Sequence, residues 1–296
     1  IKKYAAIDIG SNAIRLLIAL VIEQKDKDPI YKKRSLVRVP IRLGADVFLE
    51  GEISEKNQLR MLDAMKAFDL LMKNHEVTRL RACATSAMRE ANNGVEVAKR
   101  LKEETGININ IIDGNDEAAI IATTDLKELI QTEKTFLYVD VGGGSTEFTL
   151  FSDGKTVNSK SFKLGTVRII NNMIKENIWE EVESWIKSVT KPYKKVSLIG
   201  SGGNINHIYK NSGKKIGKPL SYFYLGSYYD MIKSLTYEER ITDLNMNPDR
   251  ADVVVPATRI YLSAMKNVYV PKIGLSDGII KSLHNEKLAA ELEVNN

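Results

Sequence analysis

Apolar residues follow strand spacing at the start of the chain and helical spacing after it. Residues 4–9 and 14–22 are apolar on both faces, and residues 31–43 alternate basic and apolar side chains, as in a strand with one wet face. Residues 54–73 show helical spacing, with Ser54 placed to be the N-cap. The expected strands are 4–9, 14–22, 31–43, 77–84 and 107–112, and the expected helices are 54–73, 95–102 and 115–129. This alternation predicts a layered α/β domain.

The second half of the chain repeats the order of the first. An apolar strand ends in Asp140 and leads into a glycine turn, as the opening strand ends in Asp8 and leads into a turn. The two aspartates are 132 residues apart, which is about one domain length. The expected strands are 136–141, 145–151, 156–164, 196–199 and 269–273, and the expected helices are 179–189, one that starts at 204, 248–265 and one at the C-terminus. We therefore predict an internal duplication.

The duplication predicts two α/β lobes. The N-terminal lobe is expected over residues 1–126, completed by a C-terminal helix at 281–296, and the C-terminal lobe over residues 127–280. A chain of 296 residues is long enough for two domains, each with its own core.

Composition narrows the class of protein. Hydrophobic residues make up 43% and charged residues 27% of the chain, which is typical of globular proteins and argues against a fibre or a disordered tail. The longest apolar run, residues 16–22, is far short of the ~20 residues of a membrane-spanning helix. No secretory leader is recognisable, so a cytoplasmic protein is expected. The single cysteine, Cys83, excludes an internal disulfide and a multi-cysteine zinc site.

The charge balance is mildly basic. The chain has 43 Lys and Arg residues against 38 Asp and Glu residues, which gives a net charge of +5. The basic clusters at 32–34, 194–195 and 214–215 are not interleaved with aromatic residues, so a nucleic-acid groove is not expected. A phosphate ester or polyphosphate fits the charge equally well.

Two glycine-containing turns, each next to a strand aspartate, carry the strongest chemical signal. Asp8 precedes the turn 10–12, and Asp140 precedes the turn 142–145. A phosphate group needs converging backbone N–H donors, and glycine permits their close approach. The aspartates could hold Mg²⁺ against the same phosphate. In duplicated lobes the two turns are expected to face each other across a cleft, which we predict to be the active site.

Two further glycine turns precede predicted helices. The turn 200–203 could bind an anion or ribose hydroxyls at a helix N-terminus, or it could be a tight strand–helix connection. The turn 274–278 has Ser276 and Asp277 as candidate N-caps.

Six blocks of sequence, in this order, support a family resemblance. They are 6–12 (AIDIGSN) with Arg15, 84–91 (ATSAMREA), 113–118 (DGNDEA), 139–147 (VDVGGGSTE), 200–203 (GSGG) and 250–252 (RAD). The chain resembles the superfamily of sugar kinases, actin and heat-shock ATPases, and more closely the exopolyphosphatase/guanosine pentaphosphate phosphohydrolase (Ppx/GppA) family. The resemblance runs from Ile7 to about Leu283. It implies two actin-like (ribonuclease H-like) lobes with an interlobe cleft.

The resemblance also implies an activity and a set of site residues. Water would replace the acceptor alcohol of a kinase, so the expected reaction is hydrolysis of a terminal phosphoanhydride. Glu117 matches the general base, Glu147 matches a second acid that orients the water or holds the metal, and Arg89 matches a phosphate clamp. The expected ligands of Mg²⁺ or Mn²⁺ are Asp8, Asp140 and Glu147. The expected phosphate-binding residues are Gly10, Ser11, Asn12, Arg15, Gly142, Gly143, Gly144, Ser145, Gly202 and Gly203.

From the residues alone, other interpretations stay open for four of these side chains. Glu117 could serve only the dipole of its helix, and Glu147 could be a solvent-facing strand residue. Arg89 could pair with Glu90 on the surface, and Arg15 could be a single exposed position on an apolar strand.

The alternatives for function also stay open. Inorganic polyphosphate is the leading substrate, and a guanosine pentaphosphate 5′-phosphohydrolase has the same chemistry. A sugar-type kinase and a non-catalytic sensor of polyphosphate or alarmone are the other options. Nucleic acid and membrane are not expected as partners, and a homodimer is left open.

Overall fold

The computed structural model describes residues 1–25, 27–114, 116–117, 120, 135–215, 218–264 and 267–269. These residues fall into two compact units, 1–120 and 135–269, each built on one β-sheet. The predicted lobe boundary at 126–127, the turn 274–278 and the C-terminal helix 281–296 lie outside the described residues. None of the described helices has both the length and the apolar character needed to cross a bilayer.

The first unit is a five-stranded mixed sheet with helices. Its strands are β1 (Lys2–Ile9), β2 (Ile14–Gln24), β3 (Lys27–Val39), β4 (Arg79–Ala84) and β5 (Ile109–Ile111), and its helices are α1 (Leu43–Glu50), α2 (Glu55–Asn74), α3 (Ser86–Glu90) and α4 (Gly94–Thr105). The order across the sheet is β3-β2-β1-β4-β5. The first three strands form an antiparallel meander, β4 runs parallel to β1, and β5 runs parallel to β4. Gly114, Asp116, Glu117 and Ile120 are also helical.

The second unit has a six-stranded sheet. Its strands are β6 (Thr135–Val141), β7 (Thr146–Ser152), β8 (Lys155–Phe162), β9 (Val196–Ser201), β10 (Leu220–Ser221) and β11 (Asn267–Tyr269). Its helices are α5 (Thr166–Ile170), α6 (Ile178–Thr190), α7 (Gly203–Asn211), α8 (Tyr222–Ser234), α9 (Tyr237–Thr242), α10 (Pro248–Ala251) and α11 (Val254–Ala264). The order is β10-β11-β9-β6-β7-β8.

The two sheets are duplicates of one plan. In each, an antiparallel meander is followed by a strand that runs parallel to its first strand, so β1, β2, β3 and β4 correspond to β6, β7, β8 and β9. The register agrees as well: Asp8 lies opposite Arg15, and Asp140 lies opposite Glu147. The predicted α/β fold class with two duplicated lobes is confirmed.

Apolar packing explains the main elements of each unit. Helix α2 buries Met61, Met65, Phe68 and Met72, which recur at helical spacing and form one face. Its predicted N-cap is confirmed, because the Ser54 side chain accepts a hydrogen bond from the backbone N–H three residues later, at 3.3 Å. The buried face and the capped start account for helix α2 of the first unit.

An aromatic cluster supports the sheet of the second unit. The ring of Phe148 on β7 contacts Phe162 on β8 and Trp185 on α6, with ring centroids 5.7 and 6.1 Å away. Such edge-to-face and tilted arrangements of buried rings are favourable beyond their area burial. They hold α6 against the β7–β8 hairpin.

Two predicted elements are wrong in extent. The predicted strand 31–43 ends at Val39, because Pro40 has no N–H for the ladder, and Arg42 adopts a left-handed conformation (φ 63°) before α1 starts. In place of the predicted helix 248–265 there are two helices, α10 and α11, and the first of them ends at Ala251 after four residues.

Several helices were not predicted at all: α1, α3, α5, α8 and α9. Helix α9 has a readable signal, since Thr236 and Glu239 form a reciprocal capping box. Helix α8 is rich in aromatic residues, which are weak helix formers, and Ser221 caps its N-terminus.

Candidate active site

The first unit gathers its predicted site residues at one edge of its sheet, where the parallel strands β1 and β4 end. The backbone N–H of Thr85, just after β4, donates to the carbonyl of Ile9 at 3.1 Å, so the two strand ends are joined. Ligands of open α/β sheets bind outside these carboxyl ends. Asp8, the turn 10–12, Arg15 and Arg89 all lie in or next to the elements that meet here.

Asp8 is almost fully buried and forms an ion pair with Arg15. The Arg15 Nη1 donates to Asp8 Oδ2 at 3.0 Å, across the β1–β2 ladder. Burial raises the pKa of the Asp8 carboxyl, and the Arg15 guanidinium opposes that rise by its charge and its hydrogen bond. Asp8 is thus compensated by a cation of its own unit.

The turn 10–12 is braced from two sides. The Ser11 and Ser86 hydroxyls lie 2.9 Å apart in a buried hydrogen bond. The carbonyl of Ser11 accepts from the N–H of Gly44 at 2.8 Å, and the carbonyl of Asn12 accepts from the N–H of Arg42 at 3.0 Å. In a planar trans peptide the N–H points opposite to the C=O. The N–H groups that follow these two carbonyls therefore point away from the brace, as an anion-binding turn requires.

Arg89 and Glu117 come to the same side of the first unit. The Arg89 Nη1 donates to the carbonyl of Ile112 at 2.7 Å, which ties α3 to the segment after β5. Glu117 is 8% exposed, and its N–H donates to the carbonyl of Asp113 at 3.0 Å. The pKa of Cys83, which lies opposite Asp8 on β4, rises to about 11, first through burial and then partly through the charges of Asp8 and Glu117. The charges of Glu117 and Asp8 thus both act on Cys83.

The turn 142–144 of the second unit is braced by α5 in the same way. The carbonyl of Gly142 accepts from the Thr166 N–H at 3.0 Å and that of Gly143 from the Val167 N–H at 2.9 Å. The carbonyl of Gly144 accepts from Nε of the buried Arg168 at 2.7 Å. Three successive carbonyls therefore point at α5.

Because no described peptide is cis, the N–H groups of Gly143, Gly144 and Ser145 point the opposite way, away from α5. Three successive N–H groups on one side of a turn form a concave anion site. The sequence predicted a phosphate-binding turn here, and the brace by α5 is a support that the sequence did not reveal.

Gly165 is where α5 meets the turn. A Cβ at this position would lie 2.2 Å from the carbonyl oxygen of Gly143, so no other residue fits without moving the backbone. We expect Gly165→Ala to lower the free energy of unfolding by about 1–3 kcal/mol through overpacking. Gly226→Ala is the matched control: it lies within α8 and its Cβ would meet nothing within 4 Å, so it should stabilise by roughly 0.5–1 kcal/mol. Urea titrations of both variants measure the change in the free energy of unfolding. An unchanged free energy in Gly165→Ala would contradict the close approach of α5 to the turn.

Asp140 and Glu147 form a pair of carboxylates beside this turn. They lie directly opposite each other on β6 and β7. Glu147 is 3% exposed, and its Oε1 accepts from Ser145 Oγ at 2.5 Å and from Ser161 Oγ at 2.9 Å. The predicted solvent-facing alternative for Glu147 is therefore wrong.

The carboxylate pair suits a hard divalent cation. Mg²⁺ is usually held by one or two carboxylates, several waters and substrate phosphates. Asp140 and Glu147 supply two carboxylates next to a phosphate-type turn, so the residues present fit Mg²⁺ or Mn²⁺. Among the described residues no group of three or more acidic, histidine or cysteine side chains converges as an all-protein metal cage.

The third glycine turn lies at the same edge of the second sheet. Ser201 pairs with Asp140 in the β6–β9 register, and a Cβ on Gly202 would lie 3.4 Å from Asp140 Oδ1. Gly202 has a φ of +106°, which favours glycine. The Tyr261 hydroxyl donates to the Ser201 carbonyl, and burial followed by the charge of Asp140 raises the pKa of Tyr261 well above its usual range.

His207 on α7 contacts an arginine from the RAD block. Arg250 Nη1 lies 3.2 Å from His207 Nδ1, and since a guanidinium can only donate, Nδ1 is the acceptor. Arg250 also approaches Gly203, where a Cβ would lie 3.6 Å from its Nη2. The neutral imidazole thus orients a cation at the third turn.

The charge state of His207 should affect stability in acid. Burial, and then the charges of Arg250 and Lys210, lower the pKa of His207 from 6.5 to about 4. Between these pH values the unfolded chain binds a proton that the folded chain does not, so the free energy of unfolding falls as pH drops from about 6.5 to 4. We expect His207→Asn to show a smaller fall over that window in denaturant titrations. An identical pH dependence of the free energy of unfolding in the wild-type protein and in His207→Asn would contradict this role of His207.

The structure therefore places the predicted site residues in two groups. Those of the first unit are Asp8, Gly10, Ser11, Asn12, Arg15, Arg89 and Glu117, and those of the second are Asp140, Gly142, Gly143, Gly144, Ser145, Glu147, Gly202 and Gly203. Sequence reasoning missed Arg168 and Ser161, which hold the second group in place. The signal for Arg168 was an arginine inside the apolar run 167–170.

Comparisons with known proteins identify the family of the chain. The model of the Ppx/GppA phosphatase family matches residues 32–282. The bifunctional 3-dehydroquinate synthase/phosphatase of Fusobacterium nucleatum is 30% identical over 296 aligned residues, which cover 86% of this chain and 42% of that protein. Exopolyphosphatase 2 of Mycobacterium tuberculosis is 31% identical over 174 residues, which cover 57% of this chain and 54% of that protein. The chain thus spans about half the length of these two relatives.

A solved structure extends the match to nearly the whole chain. The type II variant of the Ppx/GppA phosphatase from Aquifex aeolicus is 26% identical, with a TM-score of 0.71, and the superposition covers 95% of this chain and 99% of that chain. The family match covers most of the sequence, and the two glycine turns and the carboxylates beside them fall in the sequence blocks that carry the resemblance. The chain belongs to the Ppx/GppA phosphatase family.

Proposed function

We propose that this protein is an exopolyphosphatase, which hydrolyses the terminal phosphoanhydride of inorganic polyphosphate and releases orthophosphate. The observation that carries the proposal is the turn 142–144, whose three carbonyls are bonded to α5 so that three N–H groups point away from it. Family membership and the similarity to an exopolyphosphatase support the same reaction class. The net charge of +5 suits a polyanionic substrate.

Each group has a task in such a reaction. Phosphoryl transfer depends on positioning and on stabilising charge, with the attacking and leaving oxygens in line. The N–H groups of the two turns would bind phosphate oxygens, and Arg15 and Arg89 would neutralise their charge. Glu117 would accept the proton of the attacking water at its carboxylate.

A divalent cation would bind at the pair of carboxylates in the second unit. Asp140 and Glu147 would hold Mg²⁺ or Mn²⁺, with Ser145 and Ser161 fixing the Glu147 carboxylate through its Oε1. When bound, the cation supplies positive charge to the phosphate oxygens. Asp8 is the weaker metal ligand, because its carboxylate is bonded to Arg15.

A second candidate is a guanosine pentaphosphate 5′-phosphohydrolase. The third glycine turn favours it, because Gly202 and Gly203 lie at the N-terminus of α7, next to Asp140 and Arg250. A helix N-terminus with a nearby guanidinium can bind a further phosphate or the ribose hydroxyls of a nucleotide.

One parallel assay separates the candidates. Orthophosphate release is measured with Mg²⁺ or Mn²⁺ from short polyphosphate, long polyphosphate, guanosine pentaphosphate and ATP. We expect the highest kcat/KM with polyphosphate, whereas a higher value with the nucleotide would favour the second candidate. ADP release that requires an added alcohol would indicate a kinase, and tight binding without release would indicate a sensor. A mock purification from cells that do not express the protein controls for contaminating phosphatases.

A further inference from the structure

Arg60 on α2 holds the short segment between β3 and α1. Its Nη2 donates to the carbonyl of Pro40 at 2.8 Å, and its Nη1 donates to the carbonyl of Ile41 at 3.1 Å. Both residues follow the end of β3, so their carbonyls lie outside the sheet ladder. A guanidinium is a rigid fork of donors, and its charge strengthens the hydrogen bonds that it makes. Arg60 therefore fixes the path of the chain where β3 has ended.

The residues that come next support the turn 10–12. Arg42 donates its N–H to the carbonyl of Asn12 at 3.0 Å, and it does so from a left-handed conformation (φ 63°) that costs free energy in a residue other than glycine. Gly44 donates its N–H to the carbonyl of Ser11 at 2.8 Å, and a Cβ on Gly44 would lie 3.0 Å from the Ser11 Cβ. Both supports of the turn thus come from the chain directly after the segment that α2 holds.

Asn57, three residues before Arg60 on α2, extends the same network to α1. Its Oδ1 accepts from Arg60 Nη1 at 2.9 Å, and its Nδ2 donates to Asp46 Oδ2 at 2.8 Å. Asp46 lies in the first turn of α1, and its Oδ2 also accepts from the N–H of Ser54, the N-cap of α2, at 3.0 Å. Asn57 is buried, so it bridges the two helices from inside the unit. The start of α2 therefore holds both the segment before α1 and the first turn of α1.

We infer that Arg60 is a positioning residue for substrate binding: it keeps the turn 10–12 in the shape that receives a phosphate group, without touching the substrate. A site built from backbone N–H groups binds an anion best when those groups already point at it. Arg60 supplies this order from outside the site, because residues 40–42 cannot shift without breaking its bonds. The inference rests on the proposed function for the identity of the anion, a phosphoanhydride chain.

The test compares three variants of the full chain with the wild type. Arg60→Met keeps the apolar stem but removes every donor, and Arg60→Lys keeps the charge without the fork. Arg100→Met is the matched control, because Arg100 is bonded to the same end of α2, through Glu55 at 2.9 Å and Gln58 at 3.0 Å, and to Glu104 on its own helix. Equilibrium binding of tripolyphosphate, kcat and KM for phosphate release, and thermal melting are measured for each protein.

We expect Arg60→Met to weaken tripolyphosphate binding and to raise KM by about 10-fold, less than the ~100-fold that a 1 Å displacement can cost. Its kcat should stay within about threefold of wild type, as expected when binding of the substrate and of the transition state weaken alike. Arg60→Lys should lie between the wild type and Arg60→Met. Arg100→Met should stay within about threefold of wild type in both affinity and KM.

The split between affinity and stability separates positioning from a purely structural role. A lower melting temperature in Arg60→Met with wild-type affinity and KM would overturn the inference, and so would equal losses of affinity in Arg60→Met and Arg100→Met. If Arg60→Met does not melt cooperatively, Arg60→Lys decides, and wild-type affinity in that variant would overturn the inference.

The binding measurement also keeps this inference separate from the proposed function. If the wild-type protein binds tripolyphosphate but releases no phosphate from any substrate, the proposed function fails, and the affinities of the variants still decide the role of Arg60. If the wild-type protein hydrolyses polyphosphate and Arg60→Met binds tripolyphosphate as tightly, the function stands and this inference fails. Absence of tripolyphosphate binding by the wild-type protein overturns the inference.

Discussion

Replacing Glu117 by glutamine is expected to lower kcat for phosphate release by about 10²–10⁴-fold, the usual contribution of a positioned general base. Glutamine keeps the size of the side chain and its hydrogen-bonding capacity but cannot accept the proton of the attacking water. Glu117 is 8% exposed, and its charge acts on Cys83, which lies opposite Asp8 where the strands end. Single-turnover phosphate release, with binding of tripolyphosphate measured in parallel, separates loss of chemistry from loss of affinity.

The neighbouring acid is the matched control for Glu117. Asp116 is exposed, and its N–H donates to the Asp113 side chain at 2.8 Å, as expected for a residue at a helix start. Asp116→Asn removes the same charge one residue away and should leave kcat within about threefold of wild type. If Asp116→Asn and Glu117→Gln lose activity equally, the local negative charge matters and the assignment of the base is wrong. Near wild-type activity in Glu117→Gln would also refute the assignment.

The elements that could be predicted are those whose signal is local. The strand that carries Asp8 and the helix capped by Ser54 follow from apolar periodicity and capping chemistry, and both are present. Helix α1 could not be read this way, because residues 41–43 continue the apolar pattern of the preceding strand after Pro40. Periodicity identifies a face to be buried, and backbone breaks decide where the element stops.

The site was predictable in its residues but not in its supports. The turns and their acids are continuous in sequence, so the motif could be quoted directly. The contacts of Arg168 with Gly144 and of Ser161 with Glu147 join residues 24 and 14 positions apart and exist only once α5 and β8 are in place. The different partners of the two equivalent aspartates, a cation for Asp8 and a glutamate for Asp140, became visible only through the duplicated register.

That difference between the two units predicts where a divalent cation binds. Asp140→Asn is expected to lower the affinity for Mn²⁺ by at least about 10- to 100-fold, because replacing a residue that only supports a metal ligand already costs that much. The kcat for phosphate release is expected to fall by about 10²–10³-fold. The reason is that Asp140 and Glu147 are two carboxylates in direct register, whereas Asp8 is already paired with Arg15. Quenching of the Mn²⁺ electron paramagnetic resonance signal measures the affinity without turnover.

Two further variants make the location of the cation testable. Asp153→Asn removes a charge from an exposed turn at the opposite end of the β7 strand and should leave Mn²⁺ affinity unchanged. Asp8→Asn should reduce Mn²⁺ affinity less than Asp140→Asn does, because the charge it removes is already neutralised by a guanidinium at 3.0 Å. A larger loss of Mn²⁺ affinity in Asp8→Asn would assign the cation to the first unit. The Asp140–Glu147 pair would then orient water instead. Equal losses would contradict the assignment of the cation to the Asp140–Glu147 pair.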